Sequence, residues 1–79
     1  MNEKELRYML VIEDTGSIQK ASAVLRKNAS SLSRMIHRIE DELDISLFRR
    51  TPTGLVPTPE GMVYLKAARD ILDMYEALR

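Results

Sequence analysis

Between Ser17 and Leu43 the chain carries two helical patterns separated by a break of only three residues, and this pairing restricts the possible folds more than any other stretch. In the first pattern Ile18, Ala21, Ser22 and Leu25 recur at i, i+3, i+4 and i+7; in the second, Leu32, Met35, Ile36, Ile39 and Leu43 keep the same spacing. Each segment therefore offers one apolar stripe to a common core. The break is Arg26-Lys27-Asn28, where the Asn28 side chain can accept from free backbone N–H groups and start the second helix, with Ala29, Ser30 and Ser31 in its first turn. A helix-turn-helix is the expected arrangement.

Opposite the second apolar stripe lie Ser30, Ser33, Arg34, His37, Arg38 and Asp41, because steps of three and four keep residues on one side of a helix. Charge on an outer face is most simply a solvated surface. Its sign argues for more: from Thr15 to Ile39 there is no Asp or Glu, while Lys20, Arg26, Lys27, Arg34 and Arg38 contribute +5. Glu40, Asp41, Glu42 and Asp44 follow directly. A DNA major groove admits one helix, its base edges offer acceptors to Arg, and its phosphates accept from Ser, Arg and Asn. The face is therefore expected against DNA, with Arg38, Lys27 and, further along, Arg50 on phosphate.

Whole-chain charge gives no such support. Twelve Lys and Arg balance twelve Asp and Glu over 79 residues, so only the local distribution speaks for nucleic acid. The length suits one small domain with a modest core, which makes help from a partner chain plausible. The absence of cysteine removes disulfides and thiolate metal sites and points to a reducing cytosol. No apolar run approaches a membrane span and no signal peptide is visible, so a cytoplasmic location is expected, on the nucleoid if DNA is bound.

Taken in order, Asn2 with Glu5 makes an N-terminal capping arrangement, and Leu6, Met9, Leu10 and Ile12 carry a first helix ending at Thr15-Gly16. Ser17 caps the next. The acids Glu3, Glu5, Glu13 and Asp14 place the first helix away from a duplex. The second pattern should stop at Asp44 in the left-handed conformation that glycine normally takes. Ile45 to Thr58 is the only extended stretch. Leu47 to Arg50 and Leu55-Val56 are expected as two short strands across the turn Thr51-Pro52-Thr53-Gly54, a wing over 46–57. Alternation along the strand should turn one of Arg49 and Arg50 inward; for Arg49, protection of a sheet edge is an equally good reason to be charged.

Thr58-Pro59-Glu60 opens a last helix over 59–79, with a capping Thr, Pro at the first position and an acid near the positive end of the dipole. It carries two apolar rows. Leu65, Ala68, Leu72 and Tyr75 form one; Tyr64, Ala67, Ile71, Met74 and Leu78 form the other. The first can cover the domain core and the second a partner chain, although a single broad buried face in a monomer has the same pattern. Met9, Met35, Met62 and Met74 fall on apolar rows and are expected as core filling.

Together these residues resemble the N-terminal DNA-binding domain of LysR-type transcriptional regulators, over nearly the whole chain. The resemblance rests on Leu6-Arg7-Tyr8, Gly16-Ser17-Ile18, Ala21 to Leu25, Leu32-Ser33-Arg34, Ile36, Arg38, Ile39-Glu40, Leu43, Leu47-Phe48, Arg50-Thr51, Thr58 and Gly61, in this order and spacing. It implies a mainly α fold with a small β-hairpin: a winged helix-turn-helix over 1–58, its motif at 18–37, then a long linker helix through which two chains dimerise. It implies DNA contacts from the first turn of a recognition helix over 29–43, from Ser33 and Arg34, and from the wing arginine, here Arg50. The full candidate set is Lys27, Asn28, Ala29, Ser30, Ser31, Ser33, Arg34, Arg38, Arg50 and Thr53, with Tyr64, Ala67, Ile71, Met74 and Leu78 for dimerisation.

The sequence departs from the family where a Gln that could read a base edge is replaced by Ala29, where Lys27 stands at a usually apolar position, and where Asp44 replaces a frequent Gly. Base readout would then rest on Ser30, Ser31 and Arg34, or on contact between Ala29 and a thymine methyl. Full-length relatives carry a larger C-terminal domain that binds a small-molecule effector and supports tetramers, and these 79 residues cannot encode it. The last helix reaches Arg79 without a stop signal, as in an isolated domain or a naturally short chain. Two other classes stand beside the DNA reading. A winged fold that binds protein would suit the zero net charge and the doubled apolar row. An enzyme lacks support: His37 is the only histidine, and no nucleophile, base or metal set can be drawn, so no cofactor is expected.

Overall fold

Every helix in the structure, a computed structural model describing residues 1–79, begins on the side chain expected to cap it. Asn2 Oδ1 accepts from the Glu5 amide at 2.9 Å and starts α1 (Glu3–Thr15). Ser17 Oγ accepts from Lys20 at 3.2 Å to start α2 (Ile18–Leu25), and Asn28 Oδ1 from Ser30 at 2.8 Å to start α3 (Ala29–Leu43). Thr58 Oγ1 accepts from Gly61 at 2.9 Å, with Pro59 in the first turn of α4 (Pro59–Ala77). Each cap satisfies an amide that the helix itself leaves unpaired.

Three helices end in the left-handed region. Gly16 (φ 66°) and Asp44 (φ 55°) do so where the sequence suggests it. Arg26 (φ 55°) does so as well, without a glycine to announce it, and its amide returns to the Ser22 carbonyl. This reversal ends α2 within the Arg26-Lys27-Asn28 break, and α3 begins directly after it.

The hairpin pairs β1 (Phe48–Thr51) with β2 (Gly54–Pro57) antiparallel, in the register Phe48↔Pro57, Arg49↔Val56, Arg50↔Leu55 and Thr51↔Gly54. Its turn is the four-residue Thr51-Pro52-Thr53-Gly54 that the sequence suggests. Thr51 and Gly54 are already paired, leaving Pro52-Thr53 between the strands, and Thr51 Oγ1 donates to the Gly54 carbonyl at 2.9 Å. Gly54 (φ 139°) also packs against the α1–α2 turn: a Cβ there would meet Gly16 O at 2.3 Å, and the Leu55 amide donates to that same oxygen at 2.9 Å. The wing is thus stitched to the helices. Its other end is fixed by Glu40, whose Oε2 accepts the Leu47 amide at 2.7 Å, and by the Thr58 amide donating to Leu47 O at 3.0 Å.

The core draws Leu6, Met9 and Ile12 from α1, Ile18 and Ala21 from α2, and Leu32, Met35, Ile36 and Ile39 from α3. Leu47, Phe48 and, from α4, Tyr64, Leu65, Ala68 and Leu72 complete it. Helix α1 packs on both α2 and α4 and so carries the last helix on its back. No helix is long and apolar enough to cross a membrane.

Three expectations change. Tyr64, placed with the outward row of α4, is only 9 % exposed and belongs to the core. Val63, 72 % exposed, takes its place in an outward stripe with Ala67, Ile71, Met74 and Leu78, because the buried face of α4 keeps Leu65, Ala68 and Leu72 at its centre and is broad enough to take in Tyr64. Met62 and Met74 are exposed rather than core, and so is Tyr75. Arg49 and Arg50 are both exposed: Arg50 does share the inward side of the strand with Phe48 and lines a hollow with Ile18 and Leu55, yet its long side chain still reaches water there. Glu5, one of the acids that turn α1 away from a duplex, pairs its carboxylate with Arg38 on α3.

Candidate nucleic-acid interface

The outer side of α3 and the wing form one continuous surface, which can be followed through shared side chains. A cleft of about 380 Å³ separates the start of α2 (Ser17, Gln19, Lys20) from the wing tip (Arg50, Thr51, Pro52, Thr53). Arg50 also lines a smaller hollow with Ile18, Ser33, His37, Phe48 and Leu55. His37 in turn borders an open groove with Ser31, Arg34, Arg38 and Asp41. Ser31 continues that surface to Lys27 and Lys4 beside the N-terminus of α1.

The cations sort by whether they hold an acid. Arg7, Arg69 and Arg79 pair with Glu3, Glu76 or Glu13 across α1 and α4, and Lys66 pairs with Asp70 along α4. Arg38 pairs with Glu5 and Glu42. The other cations, Lys4, Lys20, Arg26, Lys27, Arg34, Arg49 and Arg50, have no carboxylate within ion-pair distance, and all but Lys4 belong to the helix-turn-helix and the wing. In a chain of zero net charge the unpaired cations are thus gathered on these elements, while the acids that hold no Lys or Arg, Asp14, Glu40, Asp41, Asp44, Glu60 and Asp73, lie at the end of α1, toward the C-terminal end of α3 and along α4.

The residues singled out in the sequence differ in how freely they meet that surface. Lys27, Ser30, Ser31, Arg34, Arg50 and Thr53 are exposed. Arg34 donates to Ser31 Oγ at 3.3 Å and to nothing else, so its guanidinium is lightly held and its remaining donors are open. Asn28 and Ser30 are hydrogen-bonded to one another, and the Asn28 carbonyl oxygen also carries the cap. Ala29 is half-buried against the core, which leaves only part of its methyl outward. Ser33 is half-buried and faces the wing with His37 and Arg50 rather than the open groove. Arg38 reaches the groove already engaged by two carboxylates.

Gln19 and Lys20 were not among the sequence candidates, yet they are exposed across the cleft from Arg50 and Thr53. Lys20 had a signal, as the first cation of the acid-free run. Beneath the surface, Tyr64 places its hydroxyl in a buried spot without a hydrogen-bond partner; burial, and then the charge of Glu5, push its pKa up to about 12.

This architecture has known counterparts. A family model described as "bacterial regulatory helix-turn-helix protein, lysR family" matches residues 4–62. The nitrogen assimilation regulatory protein nac of Klebsiella aerogenes is 37 % identical over 76 residues, covering 96 % of this chain and 25 % of that protein. Among solved structures, a complex of the BenM DNA-binding domain with catB site 1 DNA superposes with a TM-score of 0.91 at 31 % identity, over 99 % of this chain and 84 % of that one. A complex of the CbnR DNA-binding domain with DNA gives 0.89 at 25 % identity, over 98 % and 88 %. The chain spans about a quarter of the length of the curated relatives it matches.

Proposed function

This chain belongs to the lysR family of bacterial regulatory helix-turn-helix proteins, and from that premise we propose that it is the double-stranded-DNA-binding domain of a transcriptional regulator, acting in the cytoplasm as a dimer. The observation that carries the reading is the segregation of acid-free cations onto the helix-turn-helix and wing in a chain of zero net charge. Helix α3 enters the major groove by its N-terminal half. There Ser30, Ser31 and Arg34 meet base edges, with the outward part of Ala29 beside them, while Lys27, Arg50 and Thr53 sit against phosphate. Ser33 supports this set from the wing side, and Asn28 holds the helix start in place. Lys20 and Gln19 extend the phosphate contacts across the wing cleft.

Dimerisation uses the outward stripe of α4. Val63, Ala67, Ile71, Met74 and Leu78 lie within a narrow arc, and Leu78 is 86 % exposed, an arrangement that suits two antiparallel or crossing copies of the helix. Two α3 helices would then address half-sites about one helical turn or more apart.

The test is selection of bound duplexes from a random pool at moderate salt, followed by sequencing. Enrichment of a motif with two-fold symmetry is the expected result. A folded protein that enriches nothing overturns the reading in favour of a protein-binding module.

A further inference from the structure

Arg38 leaves the outer side of α3 sideways. Its Nη1 donates to Glu42 Oε1 at 3.0 Å, one turn further along the helix, and its Nη2 donates to Oε2 of Glu5, 33 residues earlier in the chain. The two acceptors differ in kind. The Glu42 side chain is as open as Arg38 itself, whereas that of Glu5 is 18 % exposed. Glu5 also has few alternatives: its Oε1 is buried with no hydrogen bond, and only the terminal ammonium stands near it, at 3.5 Å. A carboxylate drawn mostly out of water and satisfied chiefly by one guanidinium resists losing it, because the acid would be left unpaired.

The same guanidinium borders the groove that holds Ser31 and Arg34. We infer that Glu5 tunes the sequence-independent affinity of the DNA-binding surface: with Glu42 it withholds Arg38 from phosphate. This deepens the DNA reading and rests on it. Sequence-independent affinity follows the number of phosphates neutralised, with log K falling by about 0.9 per contact for each decade of salt. Arg38 with its two acids presents a net negative group instead of a cation at that edge. Attraction to arbitrary DNA is weakened there, while Arg34, held only by a hydroxyl, stays available to bases.

A double-mutant cycle with the whole chain tests this, using Glu5→Gln, Arg38→Gln and the pair, each checked for folding by circular dichroism and titrated with random-sequence duplex over a range of salt. Arg38→Gln alone should change random-duplex affinity by less than about twofold. Glu5→Gln should raise it by on the order of five- to tenfold near 0.1 M salt, steepen the salt slope by about one contact, and lose both gains when Arg38→Gln is added. An equal loss from Arg38→Gln in both backgrounds overturns the inference. If Glu5→Gln does not fold, the single Arg38→Gln variant decides: a loss of fivefold or more with a shallower slope means that Arg38 was on phosphate all along. Wild-type protein without salt-dependent duplex binding overturns the DNA reading itself, and the withheld arginine with it.

Discussion

A methyl group on Gly61 would stand 1.9 Å from the carbonyl oxygen of Leu47, so the first turn of α4 lies directly on the backbone that leads into the wing. Alanine is the better helix former by about 1 kcal/mol, yet the clash is with backbone and cannot be relieved by a rotamer change. Gly61→Ala is expected to destabilise the domain by about 2–4 kcal/mol, read as a lower midpoint in thermal unfolding. An unchanged midpoint would mean that α4 can lift from Leu47 freely.

The Tyr64 hydroxyl is raised to about 12 by burial and by Glu5 and Glu42, with Arg38 opposing. A phenol that keeps its proton better when folded stabilises the fold fully below its ordinary pKa near 10, and this contribution is lost as pH rises from about 10 through 12. Because the hydroxyl has no hydrogen-bond partner, Tyr64→Phe should be at least as stable at neutral pH. The two proteins, unfolded in parallel by urea, should diverge between pH 10 and 12, the wild type falling further. Parallel curves would contradict the assignment.

Asp44 closes α3 at φ 55°, a conformation that costs any residue with a Cβ. Asp44→Gly is expected to add about 0.5–1 kcal/mol of stability, offset in part by the greater freedom of glycine in the unfolded chain. Chemical denaturation with Asp44→Ala as the control checks it; alanine should move the other way.

Arg34 has a single weak internal partner, Ser31. Its removal should therefore cost the fold little and the readout more. Arg34→Ala is expected to narrow the gap between the selected motif and random duplex by about 1–3 kcal/mol in competition titrations. A constant ratio would take Arg34 out of base recognition and leave it a phosphate contact.

Ile71 stands at the centre of the outward stripe of α4 and outside the core. Ile71→Glu should convert a dimer to monomers in sedimentation velocity at micromolar concentration, because two like charges would face each other across the pairing helices. A variant that sediments like the wild type would move the dimer contact elsewhere.

Features governed by neighbours in sequence were legible. Asn2, Ser17, Asn28 and Thr58 each act within three residues, so their types announced four helix starts, and Asp44 took the left-handed position that the end of the apolar pattern required. Features governed by contacts across the chain were not. Tyr64 and Val63 are adjacent, and which of them turns inward depends on where α1 seats α4, something that periodicity within α4 does not contain. Arg38 reads as one more cation on an outer face until Glu5, on another helix, is seen beside it. Arg49 and Arg50 alternate as any strand does, but the inward one, Arg50, meets a hollow beside Ile18 and Leu55 from which its side chain still reaches water.

The bond from the Leu55 amide to Gly16 O, with Gly54 pressed on the same carbonyl, leaves the wing no hinge of its own. The gap between Lys20 and Arg50 is therefore a caliper with its jaws set. A duplex whose backbone spacing differs from that gap must widen or narrow its own groove to fit. Such a protein would rank sequences by how readily they deform as well as by the bases they display.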